Sequence, residues 1–256
     1  MLQVVSNVIS TMPGIGLDQM EKVRLMNRVD KKFLLTEAQF ISLIERLQPD
    51  YMVQIVDGAG YLGYHTVYLD DPAHTMYLAH HNGHLTRQKV RVRTYLDSVH
   101  PSFFEVKLKN NHGRTKKKRI QVNGVDTLVE DGAGEFLAEK ALLPIPLQAM
   151  IPTVENRFER ITLVNFARTE RLTIDWGLAF HNLETGISYR MENFVVLEVK
   201  RDGLVESPVL PVLRDLRVHP SGFSKYCIGS ALTNPDLKRN RFNVRIRKIN
   251  KMTTIL

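Results

Sequence analysis

Charged side chains two residues apart recur along this chain. The segment "KVRVRTY" spaces Lys89, Arg91 and Arg93 in this way, "FEVKLK" Glu105, Lys107 and Lys109, and "LEVK" Glu198 and Lys200. The same spacing joins Lys117 to Arg119 in "TKKKRI", Phe158 to Arg160 and Thr162 in "RFERIT", Arg171 to Thr173 and Asp175 in "ERLTID", and Arg28 to Asp30 and Lys32 in "NRVDKKF". In an extended chain each set lies on one face. The opposite faces hold Val90, Val92, Phe104, Val106, Leu172, Ile174, Leu197 and Val199, which have a core to join. A single such strand reads as half-buried with a solvated side. Like charges opposed on neighbouring strands repel by roughly 0.2–1 kcal/mol per pair, so folding alone gives no reason to accumulate them. A polyanion held against that face does. Alternation leaves one question open: whether the charged face lines water or a lumen.

The elements that must position these residues are mostly strands. "TEAQFISLIERL" is the clearest helix, with Thr36 as N-cap, Gln39 completing a capping box, and Phe40, Leu43, Ile44 and Leu47 in one stripe that ends before Pro49. "GIGLDQMEKVRLMN" reads as a short amphipathic helix and "NRVDKKFLL" as a strand. From Tyr64 to Ile120 the signals are β: "YHTVYLD", then "TMYLAH" and "LTRQKVRVRTYL" separated by a tight turn at Asn82-Gly83, then "FFEVKLKNNHGRTKKKRI" as a hairpin turning at Asn110, Asn111, His112 and Gly113. Short helices and loops follow from Val125 to Pro152. Strands return in "TVENRFERITLVN", "TERLTIDWGLAFHN" and "ENFVVLEVKRDG", and helices in "SPVLPVLRDLRVH" and "FSKYCIGSALTN"; the basic end, "DLKRNRFNVRIRKINK", is helical or extended. No low-complexity linker divides the 256 residues, so they read as one α+β domain with a large antiparallel sheet.

The net charge of +8 favours a polyanionic partner without choosing among nucleic acid, membrane surface, nucleotide and polyphosphate. The single cysteine, Cys227, excludes an internal disulfide and suits a reducing cytosol. No apolar run reaches the length of a transmembrane helix, and the apolar start "MLQVVSNVISTMPG" lacks the basic residue of a secretory signal. A cytoplasmic location is the expectation.

In their order, "RVDKKF", "KVRVRTY", "FFEVKLKNNHGRTKKKRI", "FERITL", "TERLTID", "VVLEVK" and "FSKY" resemble the VTC domain of bacterial polyphosphate polymerases, members of the triphosphate tunnel metalloenzyme (CYTH-like) superfamily. The resemblance runs from about residue 27 to residue 233. It implies a closed antiparallel β-barrel with helices packed outside and a charged lumen, so the Lys107 face would point inward. It divides the chain into an N-terminal helical segment (1–26), the barrel with its helices (27–233) and a basic tail (234–256). Asp30 stands where the family usually has Glu, and Phe158 where Tyr is common. The SPX domain and membrane helices of the eukaryotic relatives are not found, so neither inositol-phosphate sensing nor transport into an organelle is implied.

The reaction implied is transfer of the γ-phosphate of ATP to a growing polyphosphate chain, dependent on Mn²⁺ or Mg²⁺. Lys32, Arg91, Arg93, Lys107, Arg160, Arg171, Lys200 and Lys225 are expected in catalysis, and Lys117, Arg119, Lys109 and Phe158 in substrate binding. Arginine and lysine suit phosphate oxygens. Phosphoryl transfer depends on positioning and charge neutralisation, so no covalent nucleophile is needed. Glu198 is the expected metal ligand, because a carboxylate among so many bases suits a hard cation that also takes phosphate oxygens. Glu105 is second, with pairing to a neighbouring base as its other role; Asp30 and Asp175 would orient bases.

Other motifs read plainly. His80, His81 and His84 in "AHHNGHL" are surface residues on a turn; "DGAGEF" lacks the Gly-Lys-Ser/Thr of a P-loop; Cys227 is a packed thiol; the basic tail is a solvated helix face. The rival activities are a tunnel triphosphatase acting on tripolyphosphate or an RNA 5′-triphosphate, which would carry more carboxylates on the first strand, and a non-catalytic polyanion binder. The basic strands offer few aromatics beyond Tyr95 and Phe158 for stacking on bases, which argues against nucleic acid.

Overall fold

The structure, a computed structural model, describes residues 2–21, 23, 28–96, 101–112, 114–203 and 205–253, with Glu21 and Arg28 as backbone alone. In chain order the elements are α1 (Leu2–Ser10), β1 (Gly14–Ile15), α2 (Leu17–Glu21), β2 (Arg28–Leu35), α3 (Glu37–Leu47), β3 (Tyr51–Gln54), β4 (Leu62–Asp70), α4 (Thr75–His81), β5 (Arg87–Tyr95), β6 (Ser102–Lys109), β7 (Thr115–Val122), α5 (Ala133–Lys140), β8 (Ile151–Asn165), β9 (Glu170–Asn182), β10 (Ser188–Arg190), β11 (Val195–Asp202), α6 (Val209–Asp215), α7 (Lys225–Thr233) and α8 (Asn243–Thr253). The main sheet runs β2-β11-β9-β8-β4-β5-β6-β7, every neighbour antiparallel, with β3 beside β8, β1 beside β3 and β10 beside β9.

The sheet is curled, with the charged face inside. Lys32 of β2 and Lys89 of β5 have β11, β9, β8 and β4 between them. Their amines nevertheless bond adjacent residues, Lys32 Nζ the carbonyl of Phe223 at 2.8 Å and Lys89 Nζ Ser224 Oγ at 2.7 Å. A flat sheet could not bring them together. The β8–β9 register slips between Arg157 and Glu159, opposite Gly177, whose φ of +62° a residue with a Cβ adopts only with strain. This bulge adds bend and twist where the sheet turns.

The curl stops short of closure. Among the described residues β2 and β7 do not pair, so the expected closed barrel is an open half-barrel. The free edge of β2 is taken by the chain after α6: Phe33 bridges to Pro220, and Ser221 N–H donates to the Lys32 carbonyl at 2.8 Å. A proline there cannot continue a ladder. The edge strand β7 carries Lys116, Lys117 and Lys118, a charge run that discourages pairing with a strand as basic as β2.

The convex face is covered as expected. The α3 stripe of Phe40, Leu43, Ile44 and Leu47 is fully buried against Phe33, Ile161, Leu163, Leu172, Ile174 and Leu197, with α1 and α6 completing the layer. Each such side chain contributes about 1.5–3 kcal/mol. The capping box is present, Gln39 N–H donating to Thr36 Oγ1 at 3.2 Å and Thr36 N–H to Gln39 Oε1 at 3.0 Å. Phe104 and Val106 pack outward against Leu128, Leu137 and Leu147. Helix α7 departs from the expectation that the helices pack outside. Tyr226, Cys227, Ile228 and Ala231 of α7 join Tyr68, Val154, Leu178, Phe180 and Val196, all on the concave face. The helix α7 therefore plugs part of the half-barrel, and Cys227 is a packed thiol there, fully buried.

Several local expectations change. The "TMYLAH" strand is helix α4. Its first-turn N–H groups at Met76 and Tyr77 donate to Asp70, and that of Thr75 to Asp71, an acidic cap that a short apolar run does not reveal. Asn82-Gly83 then ends that helix, Gly83 at φ +80°, rather than turning a hairpin. His81 is buried against Tyr77 and Phe242, not on the surface. The helix expected over "GIGLDQMEKVRLMN" is the short β1 and α2, with much of the remainder outside the described residues, as is Gly113 of the β6–β7 turn. The basic end forms a helix, α8. No helix among the described residues is long and apolar enough to cross a membrane.

Candidate active site

Strand pairing aligns the expected side chains into rows across the concave face. Arg91 stands opposite Glu105, and Glu105 opposite Arg119. Lys89 faces Lys107, and Lys107 faces Lys117. On the other wall Arg160 faces Asp175, Arg171 faces Lys200, and Glu198 lies between Thr173 and Lys32. The walls meet across the trough, where Lys107 of β6 feels Lys32 and Glu198 of the opposite wall.

The carboxylates are engaged. Glu105, with no exposure, accepts from Arg91 Nε at 2.7 Å and Nη2 at 2.6 Å, and from Lys117 Nζ at 2.8 Å. Burial alone would raise its pKa, but Arg91, Arg93 and Lys117 overcome this and hold the carboxyl well below the usual range. Asp175 takes Arg160 in a two-pronged pair at 2.5 and 2.8 Å and also accepts from Lys225. It too is driven down against burial, by Arg160 and Lys225. Glu198 lies 3.1 Å from Lys200 Nζ. Against burial, Lys200, Lys32 and Lys107 keep it ionised.

The cations are in excess and crowded. Burial, then Lys32, Arg91 and Lys89, hold Lys107 at about 7, against the pull of Glu198. Burial, then Arg160 and Lys32, hold Lys225 at about 7 despite Asp175. Lys89 is at about 8 through burial, Lys32, Arg87 and Arg91. Burial and then Arg91 lower Arg93, which is 8% exposed, its Nε buried without a hydrogen-bond partner. Such a surplus, much of it withdrawn from water, is unfavourable until an anion enters.

Aromatic rings floor the middle of the trough. Phe158 stacks on Tyr64 at 5.1 Å, Lys225 Nζ lies 4.0 Å over Phe158, and the Arg160 and Arg93 guanidinium carbons lie 5.1 and 5.4 Å from the Tyr64 ring. Tyr64 thus places a phenol beside Phe158. Arg119, though in register with Glu105, is exposed and lies over Phe103 at 4.3 Å, away from the ion pair. Lys109 is further along, opposite Arg87.

The sequence reading missed Lys89 and Ser224. Lys89 shares the Arg91 and Arg93 face, a signal that was available. Ser224 caps α7, Cys227 N–H donating to its Oγ at 3.3 Å, while it accepts from Lys89. The helix start could be found, but its partner on β5 could not.

Among the described residues no cluster of three or more His, Cys, Asp or Glu forms a metal cage. Glu105 and Asp175 each take two bases at 2.8 Å or less, whereas Glu198 has one base at 3.1 Å, so Glu198 is the carboxylate that a hard cation could share with phosphate oxygens of a ligand.

Comparison with known proteins places the chain in a family and a fold. The model of the VTC domain family matches residues 27–234. A search of curated proteins finds no match. Among solved structures, HpAC1 from Hippeastrum, for which a dominant triphosphatase activity is described, superposes with a TM-score of 0.52 at 12% identity, over 80% of this chain and 96% of that one. The likeness shows a shared fold. The PH1819 protein of Pyrococcus horikoshii covers 80% of this chain and 98% of its own at 12% identity, with a TM-score of 0.45.

Proposed function

Because the chain belongs to the VTC domain family, matched over residues 27–234, we propose that it is a polyphosphate polymerase that moves the γ-phosphate of ATP onto a polyphosphate end within the trough. The observation that carries this reading is the charge imbalance of the concave face: Lys32, Lys89, Arg91, Arg93, Lys107, Lys117, Arg160, Lys200 and Lys225 surround Glu105, Asp175 and Glu198, each already beside a base. This arrangement favours holding two phosphate chains over activating water with a free carboxylate.

In the reaction an oxygen of the acceptor phosphate, ionised at neutral pH, forms a bond to the γ-phosphorus as the bond to the β–γ bridging oxygen breaks and ADP leaves. Arg160 and Arg91 are fixed by Asp175 and Glu105, so their remaining N–H groups present oriented donors to phosphate oxygens. Lys225 and Lys107, held at about 7 by burial and neighbouring cations, take up protons as the anion binds and strengthen their hold on it. Lys32, Lys200 and Arg171 face Lys107 from the other wall, and Lys117, Lys109 and Phe158 extend the binding surface. A divalent cation, Mn²⁺ or Mg²⁺, shared between Glu198 and phosphate oxygens would neutralise charge on the transferring group.

Purified protein supplied with ATP and Mn²⁺ or Mg²⁺ is expected to yield ADP and a ladder of phosphate polymers on a gel. ADP with orthophosphate alone, with or without a short polyphosphate primer, would replace this reading with the triphosphatase. Binding of polyphosphate with ATP left intact would make the protein a non-catalytic binder.

A further inference from the structure

The cationic surface does not stop at the end of the trough. One step beyond the facing pair Lys89 and Lys107, β5 and β6 bring Arg87 opposite Lys109. A third base arrives from α8. The guanidinium of Arg245 lies over Gly222, so close that a Cβ there would meet its Nη2 at 3.3 Å and its Cζ at 3.5 Å. Gly222 immediately precedes Phe223 and Ser224, which hold Lys32 and Lys89 of the trough. Arg245 therefore stands at the trough mouth.

His80 of α4 marks the convergence. Burial, then Lys89, Arg87, Arg245 and Lys109, push its imidazole down to about 2, and its buried Nδ1 has no hydrogen-bond partner. The groups acting on it most strongly are cations from three separate elements. Helix α8 is anchored through Ile246 and Ile249 in the cluster around α7, which leaves Arg245, Arg247, Lys248 and Lys251 exposed. The family match ends at residue 234, so α8 lies outside the matched span.

We propose that Arg87, Lys109 and Arg245 form a track continuous with the trough that binds the distal phosphates of a long polyphosphate chain. The proposal rests on the polyphosphate reading of the trough. A single-stranded nucleic acid fits less well. Of the rings in this region, His80 and Phe242 meet edge-on, and Phe242 and Phe223 are buried, which leaves little open aromatic face for a base.

The test is calorimetric titration of the full chain with long-chain polyphosphate, tripolyphosphate and a single-stranded RNA oligomer. The variants are Arg87→Gln, Arg245→Gln, their double and Arg245→Lys. Each Gln variant is expected to weaken long-chain binding by about two- to fivefold, and the double by about tenfold. Tripolyphosphate binding stays unchanged, and Arg245→Lys retains the wild-type value. The salt slope of long-chain binding becomes shallower by about one per removed cation. Unchanged long-chain affinity in the double variant overturns the track. So does an equal loss for tripolyphosphate, which would make the mouth part of the trough, and so does RNA binding tighter than long-chain polyphosphate. Wild-type protein that binds tripolyphosphate but long chains no more tightly overturns the track alone; wild-type protein that binds neither overturns the trough reading with it.

Discussion

Arg91 and Arg93 sit two residues apart on one face, yet they should respond differently to mutation. Arg91 is the principal partner of Glu105, a carboxylate with no exposure. Arg91→Met leaves that charge to a hydrogen bond from Lys117 and the nearby charge of Arg93, and breaking one side of a buried pair lowers stability by about 3–5 kcal/mol, toward the lower figure here because these two cations remain. Arg93 is crowded by Arg91 and Arg160, and its Nε has no hydrogen-bond partner. Arg93→Met keeps the apolar stem and removes a repelling charge, so the Tm is expected to stay or rise while tripolyphosphate affinity falls by about tenfold or more. Paired thermal melts and calorimetry check this; similar destabilisation of both variants would show that Arg93 has a structural role. For Glu198 the expectation is loss of metal-dependent turnover in Glu198→Gln, with metal-free polyphosphate binding as tight as wild type or tighter, since one negative charge leaves a basic trough. Normal metal-dependent turnover in the variant would remove Glu198 from the metal site.

Helix α7 is the element on which the site depends. It seats Lys225 on Asp175, and its cap, Ser224, accepts from Lys89. It lies close to β9 only because residue 229 is glycine: a Cβ there would stand 2.4 Å from Phe180 Cδ1 and 2.8 Å from Cε1. Phe180 is buried in the concave-face cluster, so a Cβ at residue 229 must displace a packed ring. Gly229→Ala is therefore expected to destabilise by about 1–3 kcal/mol and to reduce activity by shifting Lys225. An unchanged melting curve would mean that α7 is not seated on the concave face. The fold around this helix was only partly legible. Its cap and apolar residues mark a helix, but nothing local says that it lies inside the sheet. The α4 segment failed differently. Its run is short enough for either strand or helix, and the choice falls to Asp70 and Asp71, whose caps form only once the chain has turned.

For the whole molecule, the crowded lysines predict a pH signature. Lys107 and Lys225 at about 7 and Lys89 at about 8 lie below the ordinary lysine value near 10.4 of an unfolded chain. Between those limits the unfolded state binds more protons, so these groups make stability rise with pH. The depressed carboxylates Glu105, Asp175 and Glu198 act in the opposite pH region: their contribution is complete above their unfolded values and is lost only in acid. The free protein is thus expected to gain Tm from about pH 7 to about pH 9. Bound tripolyphosphate favours the charged amines, so its binding should take up protons near pH 8 and weaken as pH rises. Calorimetry in two buffers of different ionisation enthalpy reads that uptake directly. No uptake, or a Tm that falls over this range, would contradict the crowding of these amines.

The sequence by itself determined which side chains share a face. The spacing of two in "KVRVRTY", "FEVKLK" and "LEVK" needs only an extended backbone, and the capping box at Thr36 and Gln39 needs only one helical turn. These are local consequences of backbone geometry, and they name most of the trough. Only the tertiary structure decided that the charged face is concave, because a strand pleats identically whether its sheet is flat or curled. It also decided which charges meet. Asp175 pairs with Lys225, and Lys89 reaches Ser224, across separations that no periodicity spans. The half-barrel remains open for the same reason: whether β2 meets β7 depends on the Pro220–Ser221 segment, which only the tertiary fold brings to the β2 edge, and on the lysines of β7.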